Sequence, residues 1–216
     1  MTRDQNSPTP PSDAEVAEGS PHNGSPPPRH KQVLRFGRAF LKEPAMLGSV
    51  IPSSRFLVRR TLAPIDWSRA RVIVEYGPGL GTCTAEILQK MRHDARLVVF
   101  ETHPDFVSHL RETYSDSRLE VIHDSAEEVE TVLTDRGFDG ADYVLSGIPF
   151  SLMPGEVRDR ILERTRSVLN TDGAMLVYQF SPRIGSHLKR VFDEVDWSFE
   201  PRNVLPATVF HCQVTA

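Results

Sequence analysis

Three glycines follow a short apolar run in Val72-Ile73-Val74-Glu75-Tyr76-Gly77-Pro78-Gly79-Leu80-Gly81-Thr82. Glycine permits a tight turn and a close approach of backbone to a bound group. The spacing is not the dinucleotide pattern G-x-G-x-x-G, because Thr82 occupies its third position, and no Lys-Ser or Lys-Thr pair closes a phosphate loop. That favours a nucleotide held without a bound diphosphate, with a plain strand-to-helix turn as the alternative. Glu101 follows the turn by roughly two dozen residues, at the end of the apolar run Leu97-Val98-Val99-Phe100, where a carboxylate can accept from both hydroxyls of a ribose. Asp124, in His123-Asp124-Ser125-Ala126, can accept from an adenine amine or cap a helix starting near Glu127. In Ser146-Gly147-Ile148-Pro149-Phe150, Pro149 restricts the backbone and Phe150 offers an aromatic wall. Ser146 and the Gly147 carbonyl can accept N–H bonds there. Tyr178 either orients a substrate through its hydroxyl or is an ordinary sheet tyrosine.

Other polar residues carry less chemistry. His103, before Pro104-Asp105, reads as a helix start, and His211 as a strand residue that is structural or exposed. No residue is uniquely placed as a general base, and no Cys/His group has metal-ligand spacing.

These residues need strand ends to converge on them. Apolar runs predict strands at 71–76, 96–101, 119–123, 141–146, 174–180 and 208–214, with a weaker one at 195–199. Helices are expected at 84–91, 105–114, 127–134, 156–169 and 185–192. The alternation predicts an α/β fold with a parallel sheet covered on both faces, whose ligands lie beyond the carboxyl ends of the strands.

The chain has 216 residues, enough for one well-cored domain and a tail. Residues 1–30 are rich in Pro, Ser, Gly and acids and are expected to be a disordered tail. Residues 31–60 form a basic leader, with Lys31, Arg35, Arg38, Lys42, Arg55, Arg59 and Arg60 against the single acid Glu43. On a helical wheel Lys31, Arg35, Arg38 and Lys42 share one side, opposite Val33, Leu34, Phe36, Phe40 and Leu41. Such a helix can lie in an anionic membrane surface or dock on the domain. Residues 61–216 are left for the folded domain. A net charge of -4 argues against a strongly basic nucleic-acid binder. Two cysteines, no secretory signal and no bilayer-length apolar run point to the cytoplasm, with any membrane role peripheral.

The successive motifs Val-Glu-Tyr-Gly-Pro-Gly-Leu-Gly, Glu101 and His-Asp-Ser-Ala-Glu-Glu-Val resemble those of class I S-adenosylmethionine-dependent methyltransferases. The resemblance implies a Rossmann-like, mostly parallel seven-stranded sheet. It also implies that Gly77, Gly79 and Gly81 pass beneath the methionine and ribose of the cofactor, and that Glu75 orders the turn and the methionine ammonium. Glu101 would bind the ribose, and Asp124 with Ser125 the adenine; no metal is required. The Ile-Pro-Phe segment resembles the Asn-Leu-Pro-Tyr of ribosomal-RNA adenine dimethylases, with Ser146 taken at the asparagine position. Ser lacks the paired amide donor and acceptor suited to a planar adenine amine. The helical carboxyl-terminal domain of those enzymes has no counterpart here, so a nucleic-acid substrate is not expected.

The leader, the glycine turn, Phe-Glu-Thr-His-Pro-Asp-Phe, Leu-Ser-Gly-Ile-Pro-Phe-Ser-Leu-Met-Pro and Gly-Ala-Met-Leu-Val-Tyr-Gln-Phe together resemble bacterial phospholipid N-methyltransferases and their ornithine-lipid-methylating relatives. That resemblance implies successive methylation of a membrane aminolipid, phosphatidylethanolamine or ornithine lipid, at the inner face of the cytoplasmic membrane. It places Ser49 or Ser53 near the methionine end of the cofactor, and the basic helix at 31–42 on the anionic surface. A soluble small-molecule N-methyltransferase and a ribosomal-RNA adenine N-methyltransferase-like enzyme are the alternatives. A non-enzymatic membrane adaptor is a third.

Overall fold

The computed structural model describes residues 53–215. The tail at 1–30 and the basic helix expected at 31–42 lie outside the described residues. The strands are β1 (Val72–Tyr76), β2 (Arg96–Phe100), β3 (Leu119–Ile122), β4 (Ala141–Ser146), β5 (Leu169–Gln179), β6 (Glu194–Glu200) and β7 (Ala207–Gln213). They form one sheet in the order β3-β2-β1-β4-β5-β7-β6. Strands β1 to β5 pair in parallel, while β7 runs antiparallel to both β5 and β6. The helices are α1 (Arg55–Leu62), α2 (Thr82–Lys90), α3 (Pro104–Thr113), α4 (Val129–Asp135), α5 (Gly155–Val168) and α6 (Gly185–Val191).

Helices cover both faces of the sheet, so its central strands are apolar without alternation. On one face Val74, Val98 and Val144 pack with Leu133 of α4, Ile161 of α5 and Leu188 of α6. On the other, Ile73, Leu97 and Leu145 pack with Leu62 of α1, Ile87 of α2 and Leu110 of α3. This is the mostly parallel seven-stranded α/β sheet expected from the sequence. The start of α3 also matches: His103 Nδ1 accepts from the Asp105 amide at 3.3 Å, and Pro104 opens the helix. Strand β5 begins earlier than the apolar pattern at 174–180 indicates. Its register against β4 shifts between Ala141 and Tyr143, and Asp172 nearby adopts φ 64°.

Helix α1 is absent from the helices expected above. Its signal is Ser54, whose side chain accepts from the Leu57 amide as an N-cap, ahead of buried Leu57, Val58 and Leu62. The helix is clamped to the β6–β7 connection. The Ser54 amide donates to Asn203 Oδ1 at 2.8 Å, and Arg60 Nε donates to Glu200 Oε2 at 2.9 Å. Arg202 Nε donates to Glu200 Oε1 at 2.9 Å while its guanidinium stacks 4.3 Å from the Phe56 ring centroid. Hydrogen bonds from Arg202, and secondarily from Arg60, hold the fully buried Glu200 carboxyl down to about 2.

Glu200→Gln should therefore lower unfolding stability by about 1.5 to 3 kcal/mol, the scale of hydrogen bonds to a charged group, measured by urea denaturation. A carboxyl depressed below its ordinary 4.5 stabilises the fold fully above that pH, and the benefit is lost as pH falls toward about 2. The gap between wild type and variant should shrink over that window. An unchanged gap would remove the clamp from the stability account.

Candidate active site

The carboxyl ends of β1, β2, β3 and β4 surround a cleft of about 290 Å³, lined by Tyr76, Gly77, Glu101, Thr102, Asp124, Ser125, Ile148 and Pro149 among others. A larger hollow of about 430 Å³ lies at the amino end of β1 and includes Arg71, Asp142 and Asp172. It contains none of the strand-end residues above, and ligands of open α/β sheets bind at carboxyl ends.

Gly77, Gly79 and Gly81 adopt φ of 64°, 55° and 74°, the left-handed region that favours glycine. Gly77 N donates to Phe100 O at 2.9 Å, seating the turn against β2. A Cβ on Gly77 would stand 2.6 Å from Ile148 Cγ2, so this residue is fixed by the approach of the β4 loop as well as by its dihedral angle. Gly81 faces elsewhere. A Cβ there would strike the Tyr114 ring and Leu110, and its carbonyl accepts from the Tyr114 hydroxyl at 2.8 Å. Its tightness therefore comes from packing α2 on the α3 segment.

Two carboxylates underlie the turn. Glu101 accepts from the Gly79 amide at 3.2 Å and the His103 amide at 2.9 Å. Burial raises its pKa, and these amides oppose the rise. Glu75 is buried in β1 and accepts from Thr84 Oγ1 at 2.6 Å. Desolvation raises its carboxyl to about 7, with the Glu101 charge adding to the rise and the Thr84 bond opposing it. Among the described residues neither acid forms an ion pair with Lys or Arg. A cationic ligand suits such a pair, and a carboxylate accepting two amides keeps lone pairs for hydroxyls. S-adenosylmethionine carries an ammonium, a ribose and a methyl group on a positively charged sulfur, and these residues fit it. At the far wall Asp124 Oδ1 accepts from the Ser125 amide at 2.7 Å, and Ser125 Oγ accepts from the Glu127 amide at 3.2 Å. Ser125, not Asp124, caps the short helix that follows.

The loop after β4 needs a correction. Ile148-Pro149-Phe150 in register with Leu-Pro-Tyr puts Gly147, not Ser146, opposite the asparagine. Ser146 and Phe150 are both fully buried, so neither presents a side chain at the cleft surface as the sequence reading expected. Both faces of β4 are covered at its end, so Ser146 is interior, and its Oγ has no hydrogen-bond partner among the described residues. Phe150 joins the core with Tyr76 and Val177. Tyr178 instead reaches Gly147: a Cβ on Gly147 would lie 2.9 Å from Tyr178 Cζ, closer still to its hydroxyl, and 3.2 Å from Gly77 O. The Ser53 side chain lies near enough to the Tyr178 hydroxyl to act on it, so these two residues, 125 positions apart by their numbers, meet at one corner. Burial drives the Tyr178 hydroxyl strongly upward, and it remains a neutral phenol. Gln179 escaped the sequence reading; its Nε2 donates to Ile148 O at 2.7 Å and holds the loop.

Among the described residues no group of three His, Cys, Asp or Glu could hold a metal ion, and no helix is long and apolar enough to cross a membrane.

Glu101→Ala should weaken S-adenosylhomocysteine binding by about 1.5 to 3 kcal/mol in calorimetry, since it removes a charged acceptor. Unchanged affinity would take Glu101 out of the ribose site. A carboxyl raised from 4.5 to about 7 favours its protonated form, and a cationic ligand favours the ionised one. S-adenosylmethionine affinity should therefore fall as pH drops through about 7, and Glu75→Gln should flatten that dependence. An equally steep profile in the variant would locate the titration elsewhere.

Comparison with known proteins is consistent with this geometry. The ribosomal RNA adenine dimethylase family matches residues 29–149. Ornithine lipid N-methyltransferase of Singulisphaera acidiphila is 34% identical over 185 residues, covering 85% of this chain and 96% of that protein. Ribosomal RNA small subunit methyltransferase A of Bordetella avium is 28% identical over 57% of this chain, which spans 40% of that relative. Among solved structures, the 1,6-didemethyltoxoflavin-N1-methyltransferase of Burkholderia thailandensis superposes with a TM-score of 0.57 at 18% identity, over 94% of each chain. A similarity that distant speaks for the fold. The protein is a class I S-adenosylmethionine-dependent methyltransferase that belongs to the ribosomal RNA adenine dimethylase family and is also related to ornithine-lipid N-methyltransferase.

Proposed function

We propose that the acceptor is an amine nitrogen brought to the Gly147–Pro149 turn, beside a cofactor held by Gly77, Gly79, Glu101, Asp124 and Ser125. The observation that carries this reading is the close packing of the β4 loop on the glycine turn, Ile148 on Gly77 and Gly147 beside Tyr178. It leaves the methyl donor and the acceptor one shared approach. The enzyme's own task is to hold the amine in line with the methyl group with its lone pair free. A free alkyl ammonium must first lose a proton to water or a nearby acceptor.

Counted across the family match and the curated relatives, the comparisons back the ribosomal-RNA adenine alternative better than the aminolipid reading. Adenine methylation is therefore the first reading. Two observations favour the second, methylation of phosphatidylethanolamine or ornithine lipid. The relative that this chain covers almost end to end is an ornithine-lipid enzyme. In addition, Leu152, Phe180, Phe199, Val204 and Leu205 are exposed large apolar side chains, all beyond or near the carboxyl ends of β4, β5 and β6. An apolar rim flanked by Arg55 and Arg202 suits an anionic lipid surface. On this reading the protein associates peripherally with the inner face of the cytoplasmic membrane, and the basic residues at 31–42 add to the contact.

The test supplies labelled S-adenosylmethionine with ribosomal RNA, lipid extract and soluble amines in separate reactions, followed by mass spectrometry. Label on adenine would support the first reading. Label on a lipid nitrogen would support the second and overturn the first. Transfer to soluble amines alone would overturn both. If the second holds, binding to anionic vesicles should exceed binding to neutral ones and weaken in high salt. Equal, salt-insensitive partitioning would count against the surface contact.

A further inference from the structure

The end of β4 comes so close to β5 that position 147 has no room for a side chain. Tyr178 fills that volume: its ring carbon Cζ stands 2.9 Å from where a Cβ would be, with the hydroxyl nearer. Neighbouring contacts hold the corner around it. Gly147 N donates to Tyr76 O at 2.9 Å, tying the loop to β1. Gln179 Nε2 holds Ile148 O at 2.7 Å from the β5 side. The Tyr178 ring packs on Leu57 and Val209, with Ser53 beside its hydroxyl in the segment before α1. The polar group offered to an acceptor beside Gly147 is thus one phenolic oxygen carried by β5.

We propose that the Tyr178 hydroxyl accepts an N–H of the acceptor amine and selects a tetrahedral alkyl amine over a planar aromatic one. The proposal rests on the second, aminolipid reading and deepens it, against the first. A single oxygen accepts one N–H and leaves the nitrogen lone pair directed away, toward the methyl donor. A planar exocyclic amine conjugated to a ring is better matched by a donor and acceptor together, which one hydroxyl does not supply. In the transfer the lone pair forms the N–C bond, the C–S bond breaks with its electrons remaining on sulfur, and the surplus N–H proton leaves to solvent.

This role has a counting consequence. A neutral primary amine has two N–H groups, a secondary amine one and a tertiary amine none. Tyr178 can orient the first two acceptors and not the third. The experiment compares wild type and Tyr178→Phe in the full chain on vesicles of phosphatidylethanolamine, its N-methyl form and its N,N-dimethyl form, with an RNA oligonucleotide containing unmethylated adenine alongside. S-adenosylhomocysteine affinity is measured on both proteins. The expected result is a loss of about tenfold or more, the scale of one hydrogen bond, on the primary and secondary amines. The tertiary amine and cofactor affinity should be unchanged. Equal loss on all three lipids, or no loss, overturns the role of Tyr178 and leaves N-methylation standing. Wild-type transfer to adenine but to no lipid amine overturns the alkyl-amine selection and the aminolipid reading it rests on. Transfer to neither nitrogen class overturns this proposal and the reading beneath it.

Discussion

A backbone that turns left-handed at Gly77, Gly79 and Gly81 over two buried carboxylates is the constraint on which the site depends. The turn puts amides within reach of Glu101, and Glu75 ties its start to α2 through Thr84. Burial, and after it the Glu101 charge, opposes ionisation of Glu75, whose carboxyl is raised to about 7. A cation nearby offsets both. Cofactor affinity and the strain of the turn are therefore one problem. Replacing any of these groups changes both.

The second dependence runs through Glu200. By holding Arg60 and Arg202, it fixes α1 against the β6–β7 connection, and Ser54 on Asn203 extends the same attachment. The residue just before that cap is Ser53, which meets Tyr178. A buried ion pair is weak evidence for net stability, since desolvation offsets much of its attraction. Here its position is better explained by what it locates. The clamp sets where the segment leading into α1 crosses the end of β5, and hence where the hydroxyl beside Gly147 points.

Much of this was legible in the sequence, for identifiable reasons. Central strands such as 72–76 and 96–100 are continuous apolar runs, and Pro104 and the glycine turn punctuate them sharply. Local pattern was enough there because tertiary packing agrees with it. Helix α1 was missed because only its cap, Ser54, distinguishes it within a basic leader. Ser146 and Phe150 are buried in the core, a placement their residue types did not reveal, because chemistry-bearing types do not show direction. The meeting of Ser53, Gly147 and Tyr178 joins three distant segments. Spacing along the chain carries no trace of it.

The boundary of the family match has a physical meaning. It ends at residue 149, one position past the Ile148 that packs on Gly77. The matched stretch thus contains β1 to β4 and every strand-end residue assigned to the cofactor, while Tyr178, Gln179 and Glu200 follow it. A half that grips one methyl donor must keep its backbone whatever receives the methyl group. The half that meets the acceptor is free to diverge, because function resides in sites grafted on a common fold. The acceptor site proposed above joins the two: the Gly147–Pro149 turn lies inside the matched stretch, and β5 brings its tyrosine to that turn from outside it, where a glycine leaves it room.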